Sequence, residues 1–328
     1  MAGSGDHIKA LLKSHAEGDD AAFYAVAGQI AAQEARRGHS KLAGELKKAI
    51  EAAKTEPVAV RNVTPIARPR GDLADLVTAS FPKARTRDLV LPDRIHAQIE
   101  EVLAEQRQRR SLSERGFAPV HRLLLEGPPG TGKTLTAAVL AHELSLPLLT
   151  VRLESLLSKF LGETAAKLRL VFDAIRDQRA VYLFDEFDAL GADRSGNDIG
   201  EARRILNSFL VFLDEAAPES IVVAATNHSS ILDRALFRRF DMVIHYELPK
   251  LAEAREVLRT RLGPMSKGLP LAKIATKKTV DELSHAELEK VAEAAAKQVL
   301  IRGDSQVLSG DLSAALENRR AARHAVKR

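Results

Sequence analysis

The chain has 328 residues, of which 28% are charged and 4% aromatic, with a formal net charge of +5 and no cysteine. This length can bury a sizeable core and suggests two or three domains, and no apolar run approaches the roughly 20 residues that span a bilayer. The lack of cysteine excludes disulfides and thiolate metal sites, and together with the polar first residues it indicates a cytoplasmic protein without a secretory signal.

The first 55 residues have the apolar spacing of helices. Apolar side chains recur at helical intervals through residues 5–54, and Gly18 and Gly38 divide the pattern into three helices. Because this region carries no catalytic constellation, we interpret residues 1–55 as a small helical docking domain that selects partner proteins.

Residues 56–84 differ in composition from the helices before them. Pro57, Pro65 and Pro69 prevent a long helix, and several arginines make the segment basic. We therefore predict an extended basic linker over this range. Its charge permits contact with nucleic acid, but a solvated linker is the simpler interpretation.

From residue 85 to residue 249, short apolar runs alternate with helical patterns. Such alternation is typical of an α/β domain with a parallel sheet flanked by helices. The apolar runs predict strands at 122–126, 148–152, 180–184, 220–225 and 242–246. After residue 250 only helical spacing remains, which predicts an all-α lid over residues 250–328.

A glycine-rich segment follows the first predicted strand. Residues 127–134, GPPGTGKT, match the phosphate-binding pattern G-x-x-x-x-G-K-[ST], with a strand before them and a helix after them. The glycines let several backbone N–H groups point at one anion, and the helix adds its positive N-terminal end. Lys133 would reach the β- and γ-phosphates of ATP, and Thr134 would bind Mg²⁺. The predicted nucleotide-binding residues are Pro128, Pro129, Gly130, Thr131, Gly132, Lys133, Thr134 and Leu135.

Two acidic residues come directly after the apolar run 181–184. Asp185 and Glu186 emerge at the carboxyl end of a buried strand, the edge where open α/β sheets bind ligands. Asp185 can hold Mg²⁺ through water, and Glu186 can orient or deprotonate the attacking water. The pair therefore favours ATP hydrolysis over a kinase reaction.

Asn227 ends the next apolar run. It would lie beside Glu186 if the two strands are neighbours, and a neutral amide there can hold the water or sense the γ-phosphate. The structural alternative is an asparagine that only makes a turn.

Four segments together carry a family resemblance. GPPGTGKT, LFDEFD, AATN and LDRALFRRFD resemble, in order and spacing, the AAA subgroup of AAA+ ATPases, over residues 85–325. The resemblance implies Mg²⁺-dependent hydrolysis of ATP and a homo-oligomer, usually a hexameric ring, with ATP bound between subunits. Arg238 and Arg239 match the arginine fingers that reach a neighbour's γ-phosphate, although here they are adjacent, whereas the family usually has Pro-Gly between them.

Residues 158–163, SKFLGE, resemble the pore loop of protein translocases. The resemblance implies that Phe160, flanked by Lys159 and Leu161, grips an extended polypeptide in the centre of the ring. Without the family resemblance, we would interpret Phe160 as a core residue of a helix.

Residues 284–288, SHAEL, resemble the lid motif Ser-Gly-Ala-Asp-Leu. The resemblance implies that the small residue Ala286 approaches the nucleotide. His285 stands where the family has glycine.

Three functions are compatible with these features. The first is a ring that remodels, unfolds or translocates protein clients through a central pore. The second is the ATPase partner of a separate, subtilisin-like protease, because the zinc signature His-Glu-x-x-His lacks its second histidine at residues 142–146. The third is a DNA-associated ATPase of the loader or transposition type, which the basic linker and Arg319, Arg320 and Arg323 support.

Overall fold

The computed structural model describes residues 20–36, 38–55, 69, 71–156, 161–190, 199–227 and 237–326. The chain forms two compact units, residues 1–65 and residues 66–328. In the first unit, helices α1 (Asp20–Arg36) and α2 (Ser40–Thr55) pack against each other. Gly38 adopts a φ of +86° in the turn between them, a conformation that glycine permits at low cost. The helix predicted before Gly18 lies outside the described residues.

The second unit contains a six-stranded sheet. Its strands are β1 (Val77–Ser80), β2 (Arg122–Glu126), β3 (Leu148–Val151), β4 (Val181–Phe184), β5 (Ile221–Thr226) and β6 (Met242–His245). Their spatial order is β1-β3-β4-β5-β2-β6, and β2 to β6 are parallel to one another. The predicted α/β class is confirmed, and each of the five predicted strands lies within one residue of its expected bounds.

Strand β1 departs from the prediction of an extended linker over residues 56–84. It pairs antiparallel with β3, with Val77 opposite Val151, and Val77 is buried. The helical turn Leu73–Leu76 precedes it. The segment was not recognisable as a strand because four residues with a single large apolar side chain give too short an alternation.

Helices cover both faces of the sheet. The long helices of this domain are α3 (Asp93–Arg107), α4 (Lys133–Glu143), α5 (Leu161–Asp177) and α6 (Ile199–Asp214), with short helices at Thr86–Asp88, Arg109–Ser113, Leu153–Leu156 and Phe187–Leu190. Successive strand residues point to opposite faces. Leu124 therefore joins the cluster with Phe172 of α5 and Phe209 of α6, whereas Leu123 and Leu125 join the cluster with α3 and α4. None of the described helices is long and apolar enough to cross a membrane.

All the secondary-structure elements among the described residues of the lid are helices. It comprises α7 (Leu251–Leu262), α8 (His285–Ile301) and α9 (Ser309–Val326), with short helices at Gly263–Ser266, Leu271–Ile274 and Lys277–Val280. Leu258, Leu288 and Leu312 come from the three long helices and belong to one buried cluster. Ser284 caps α8, because its Oγ accepts a hydrogen bond from the backbone N–H of Glu287.

The strand order decides where the candidate site lies. Strands β4, β5 and β2 are adjacent and parallel at the centre of the sheet. Their carboxyl ends therefore meet at one edge, and the segments that follow them converge there.

Candidate functional site

The loop after β2 has a backbone that requires glycine at two positions. Gly127 has a φ of +143° and faces the Tyr246 carbonyl, with which a Cβ atom would collide. Gly130 has a φ of +74°, and a Cβ there would lie 2.7 Å from the Ser284 hydroxyl and 3.1 Å from the Ala286 methyl. The loop is thus compact against both the sheet and the lid, and a side chain at either position would displace one of them.

Lys133 is buried at the first position of α4. Its ammonium donates hydrogen bonds to the carbonyls of Gly127 and Pro128, at 2.7 and 2.9 Å, and to Oδ1 of Asn227 at 2.8 Å. Burial lowers the pKa of Lys133, and the nearby carboxylates of Asp185 and Asp188 oppose that shift. The Lys133 side chain is therefore held in place by three hydrogen bonds at the N-terminus of a helix, where anions are favoured.

Thr134 and Asp185 lie side by side. The Thr134 hydroxyl donates a 2.7 Å hydrogen bond to Oδ2 of Asp185, and the backbone N–H of Glu186 donates to Oδ1. Mg²⁺ prefers oxygen ligands and keeps several waters, so a hydroxyl and a carboxylate beside a phosphate site fit this ion. Among the described residues no cluster of three or more His, Cys, Asp or Glu could hold a metal ion.

Glu186 has an unusual backbone conformation for a non-glycine residue. Its φ is +51°, in the left-handed region, and its side chain is exposed at the carboxyl end of β4. Such conformations cost free energy and persist mainly where function requires them. Because the residue lines the same cavity as Lys133 and Thr134, its carboxylate can reach a molecule bound there.

Asp188 is a site residue that the sequence reasoning did not assign. Its Oδ1 accepts hydrogen bonds from the Thr226 hydroxyl at 2.9 Å and from the Asn227 backbone N–H at 3.3 Å. It thereby links the segment after β4 to the end of β5 and fixes where Asn227 stands. The available signal was a third acid in LFDEFD, but sequence spacing alone does not show which strand it contacts.

The lid closes over the phosphate loop. The backbone N–H of Ala286 donates a 3.0 Å hydrogen bond to the Gly130 carbonyl, so the start of α8 rests directly on the loop. A cavity of about 720 Å³ lies between the two parts. The predicted residues in its wall are Pro129, Gly130, Thr131, Gly132, Lys133, Thr134, Leu135, Asp185, Glu186, Asn227 and Ala286. The structure therefore brings the predicted nucleotide-binding residues together with two of the four predicted catalytic residues, Glu186 and Asn227. Pro128 contacts them through its carbonyl.

The adjacent arginines have different surroundings. Arg239 forms an ion pair with Asp214 at the end of α6, and Asp214 also lies 3.7 Å from the Arg122 guanidinium. Arg238 is exposed, and no hydrogen bond or ion pair joins it to the described residues. Neither arginine is among the described residues that line the cavity.

Asp241 anchors the segment that carries these arginines. Its carboxylate accepts hydrogen bonds from the backbone N–H groups of His121 and Arg122 and from the Arg122 guanidinium, the last at 2.5 Å. Burial alone would raise the pKa of Asp241, but hydrogen bonds from His121 and Arg122 outweigh it and hold the pKa well below its ordinary value. Asp241 is therefore a structural anion.

The predicted pore residues are only partly described. Lys159 and Phe160 lie outside the described residues, and Leu161 is the first residue of α5, with a side chain that is also outside them. The prediction of a client contact there stays a prediction.

Known proteins resemble this chain along most of its length. Residues 123–248 match the family model described as "ATPase family associated with various cellular activities (AAA)". A Sinorhizobium fredii protein named "Uncharacterized AAA family ATPase y4kL" is 34% identical over 96% of this chain and 94% of its own length. The crystal structure of the FIGL-1 AAA domain shares the fold, with a TM-score of 0.60, 22% identity, and coverage of 80% of this chain and 97% of that domain.

Two longer relatives match in part. The proteasome-activating nucleotidase of Aeropyrum pernix is 34% identical over 74% of this chain and 61% of its own length. The ATP-dependent zinc metalloprotease FtsH 2 of Sorangium cellulosum is 37% identical over 60% of this chain, which spans only 34% of that protein. The near-full-length match to an AAA ATPase, together with the phosphate loop and the acidic pair on one cavity, establishes that this chain belongs to the AAA family and is an ATPase.

Proposed function

We propose that this ATPase assembles into a homo-oligomeric ring, a hexamer, that remodels, unfolds or translocates protein clients through a central pore. The exposed position of Arg238 carries the proposal. Arg261 is the one arginine among the described residues in the cavity wall, and its guanidinium pairs with Glu293 of the lid. A γ-phosphate in the cavity would thus have no free arginine from the described residues of its own chain, and Arg238 of a neighbour would supply one.

Within one subunit, the phosphate chain of ATP would lie along the N-terminus of α4. The backbone N–H groups of the loop and the Lys133 ammonium would bind the phosphate oxygens. Thr134 and Asp185 would hold Mg²⁺, which neutralises charge on the β- and γ-phosphates when bound.

Hydrolysis would use two groups at the carboxyl ends of β4 and β5. The Glu186 carboxylate would orient the attacking water and take up its proton, and the Asn227 amide would hold that water in line with the γ-phosphate. An arginine supplied by a neighbour would stabilise the transition-state charge, an effect on the order of 10³-fold or more in rate. Turnover would therefore depend on assembly.

Relatives support a protein as the client. Two of them are named as a proteasome-activating nucleotidase and an ATP-dependent zinc metalloprotease, names that refer to proteolysis. In this chain His142 bonds to the Pro82 carbonyl, and Glu143 pairs with Arg107 at 3.3 Å. His142 and Glu143 thus have structural partners in the fold. Any peptidase activity would therefore come from a separate protein, which the N-terminal helices would recruit.

The basic residues of the lid give a DNA-associated role less support than the relatives give to a protein client. Arg319 and Arg323 of the basic tail segment pair with Glu287, at 3.4 and 2.6 Å. Their charge is partly neutralised within the lid and is less available to phosphates of a nucleic acid.

The decisive experiment uses Glu186→Gln, which removes the carboxylate and keeps its size. With ATP and magnesium this variant should form a ring that retains clients, detected by light scattering and by mass spectrometry of co-purified chains. The control is Lys133→Ala, which should bind neither ATP nor clients. A Glu186→Gln protein that stays monomeric at high concentration with ATP would refute the ring, and a ring that captures only DNA, in a salt-dependent way, would replace the protein client with a nucleic acid.

A further inference from the structure

His285 is a buried histidine that makes no well-formed hydrogen bond to the described residues. It is only 8% exposed, and neither of its ring nitrogens is hydrogen-bonded to the described residues. A buried polar group that lacks a partner costs free energy, so each such group in a folded protein calls for a physical reason. The ring lines the same cavity as the phosphate loop, which suggests that a ligand in this cavity supplies the missing partner.

The cavity that His285 lines has a mixed wall. Val90, Leu91 and Val257 line it, together with the polar residues Thr260, Arg261 and Glu289 and with Lys133 and Thr134 of the phosphate loop. A nucleoside triphosphate has a charged phosphate chain at one end and a flat, largely apolar base at the other. If the phosphates lie on the glycine-rich loop, the rest of the cavity is left for the base, whose flat faces fit Val90, Leu91 and Val257 and whose polar edge fits the imidazole.

The position of the ring is well defined. His285 is the first residue of α8 and directly follows the cap residue Ser284. The next residue, Ala286, is hydrogen-bonded to Gly130 of the phosphate loop. The imidazole therefore has a set position relative to the phosphate site, as a contact that orients a ligand requires.

The protonation state of the ring suits a nucleobase. Burial lowers the pKa of His285. The Val90 carbonyl, which is close to the ring but outside good hydrogen-bonding geometry, and the Glu253 carboxylate oppose that shift. A neutral imidazole presents one donor and one acceptor. Adenine likewise carries an amino donor beside ring-nitrogen acceptors, so either tautomer of the histidine finds a partner on it.

We propose that His285 donates or accepts a hydrogen bond at the nucleobase and so strengthens binding of the whole nucleotide over binding of its phosphate chain. A glycine at this position, as in the lid motif that the sequence resembles, has no side chain to make this bond. The inference rests on the nucleotide placement proposed above and is independent of the proposed action on proteins.

Two substitutions test the hydrogen bond. His285→Phe keeps a planar ring but has no hydrogen-bonding atoms, and His285→Gln keeps a donor and an acceptor. Calorimetric Kd values for ADP and for inorganic tripolyphosphate would be compared. We expect His285→Phe to weaken ADP binding about five- to tenfold, the factor of one neutral hydrogen bond, and to leave tripolyphosphate unchanged. His285→Gln should recover part of the loss.

Two calorimetric results would overturn the proposal. One is an unchanged Kd for ADP in His285→Phe, and the other is an equal loss for ADP and tripolyphosphate. If neither ADP nor tripolyphosphate binds the unaltered chain, that result refutes the proposed nucleotide placement itself, and with it the role of His285.

A measurement on the unaltered chain avoids any dependence on how the variants fold. Deuterium exchange at the imidazole C2 position of His285 can be followed by peptide mass spectrometry. ADP should slow this exchange more than tripolyphosphate does, and equal rates with both ligands would refute the contact with the base.

Discussion

The role of Asp188 leads to a quantitative prediction. Asp188→Ala removes the acceptor for the Thr226 hydroxyl and for the Asn227 N–H, which lie 2.9 and 3.3 Å from its Oδ1. Thr226 is fully buried, so the loss of this hydrogen bond to a carboxylate should cost about 1–3 kcal/mol. We therefore expect the free energy of unfolding to fall by about 2 kcal/mol, measured by urea denaturation at an unchanged slope.

The same substitution should reduce turnover. Asn227 would lose the backbone contact that fixes its position, and small displacements of positioning groups cost up to about 100-fold in rate. We expect kcat for ATP hydrolysis to fall by about 10- to 100-fold while the Kd for ADP changes little. Asp188→Asn is the matched control, because its amide oxygen keeps the acceptor, and it should recover most of the stability. The role of Asp188 as an acceptor would be refuted if Asp188→Ala kept the kcat and stability of the unaltered chain. It would also be refuted if Asp188→Ala and Asp188→Asn behaved identically.

Three further predictions follow from the site. Glu186→Gln should keep ADP affinity and lose at least about 100-fold in ATPase rate, and full turnover would exclude it as the base. A mixture of Arg238→Ala and Lys133→Ala proteins should partly recover ATPase activity if Arg238 acts on a neighbouring subunit. Arg239→Ala should instead chiefly lower the melting temperature. The depressed pKa of Asp241 contributes stability that is present above its unfolded pKa, about 4, and is lost as pH falls toward its folded value. Asp241→Asn should therefore flatten the fall in stability below about pH 4, and an unchanged acid profile would contradict that linkage.

Much of the fold could be predicted because its signals are local. Buried parallel strands are short continuous apolar runs, and five of them were found with bounds correct to within one residue. The phosphate loop was recognisable because its glycines are needed by the backbone itself, as the positive φ of Gly127 and Gly130 shows. Strand β1 was missed because an edge strand of four residues carries little periodic signal.

The parts that sequence could not supply depend on contacts between distant residues. Arg238 and Arg239 are indistinguishable in the sequence, and only the fold brings Asp214 to one of them. Likewise, nothing local shows that Asp188 binds the end of β5 or that the His285 ring lines the same cavity as the phosphate loop. Such contacts follow from strand order and from lid packing, which single-chain patterns do not determine.

The contacts of Lys133 suggest how the site could transmit the presence of a phosphate. Its ammonium donates to three oxygens, one of them the Asn227 side chain. A phosphate oxygen carries more negative charge than an amide oxygen, so it should compete successfully for the ammonium and release the Asn227 amide. Asp188 would still hold the Asn227 backbone, which keeps the released amide near the γ-phosphate and the attacking water.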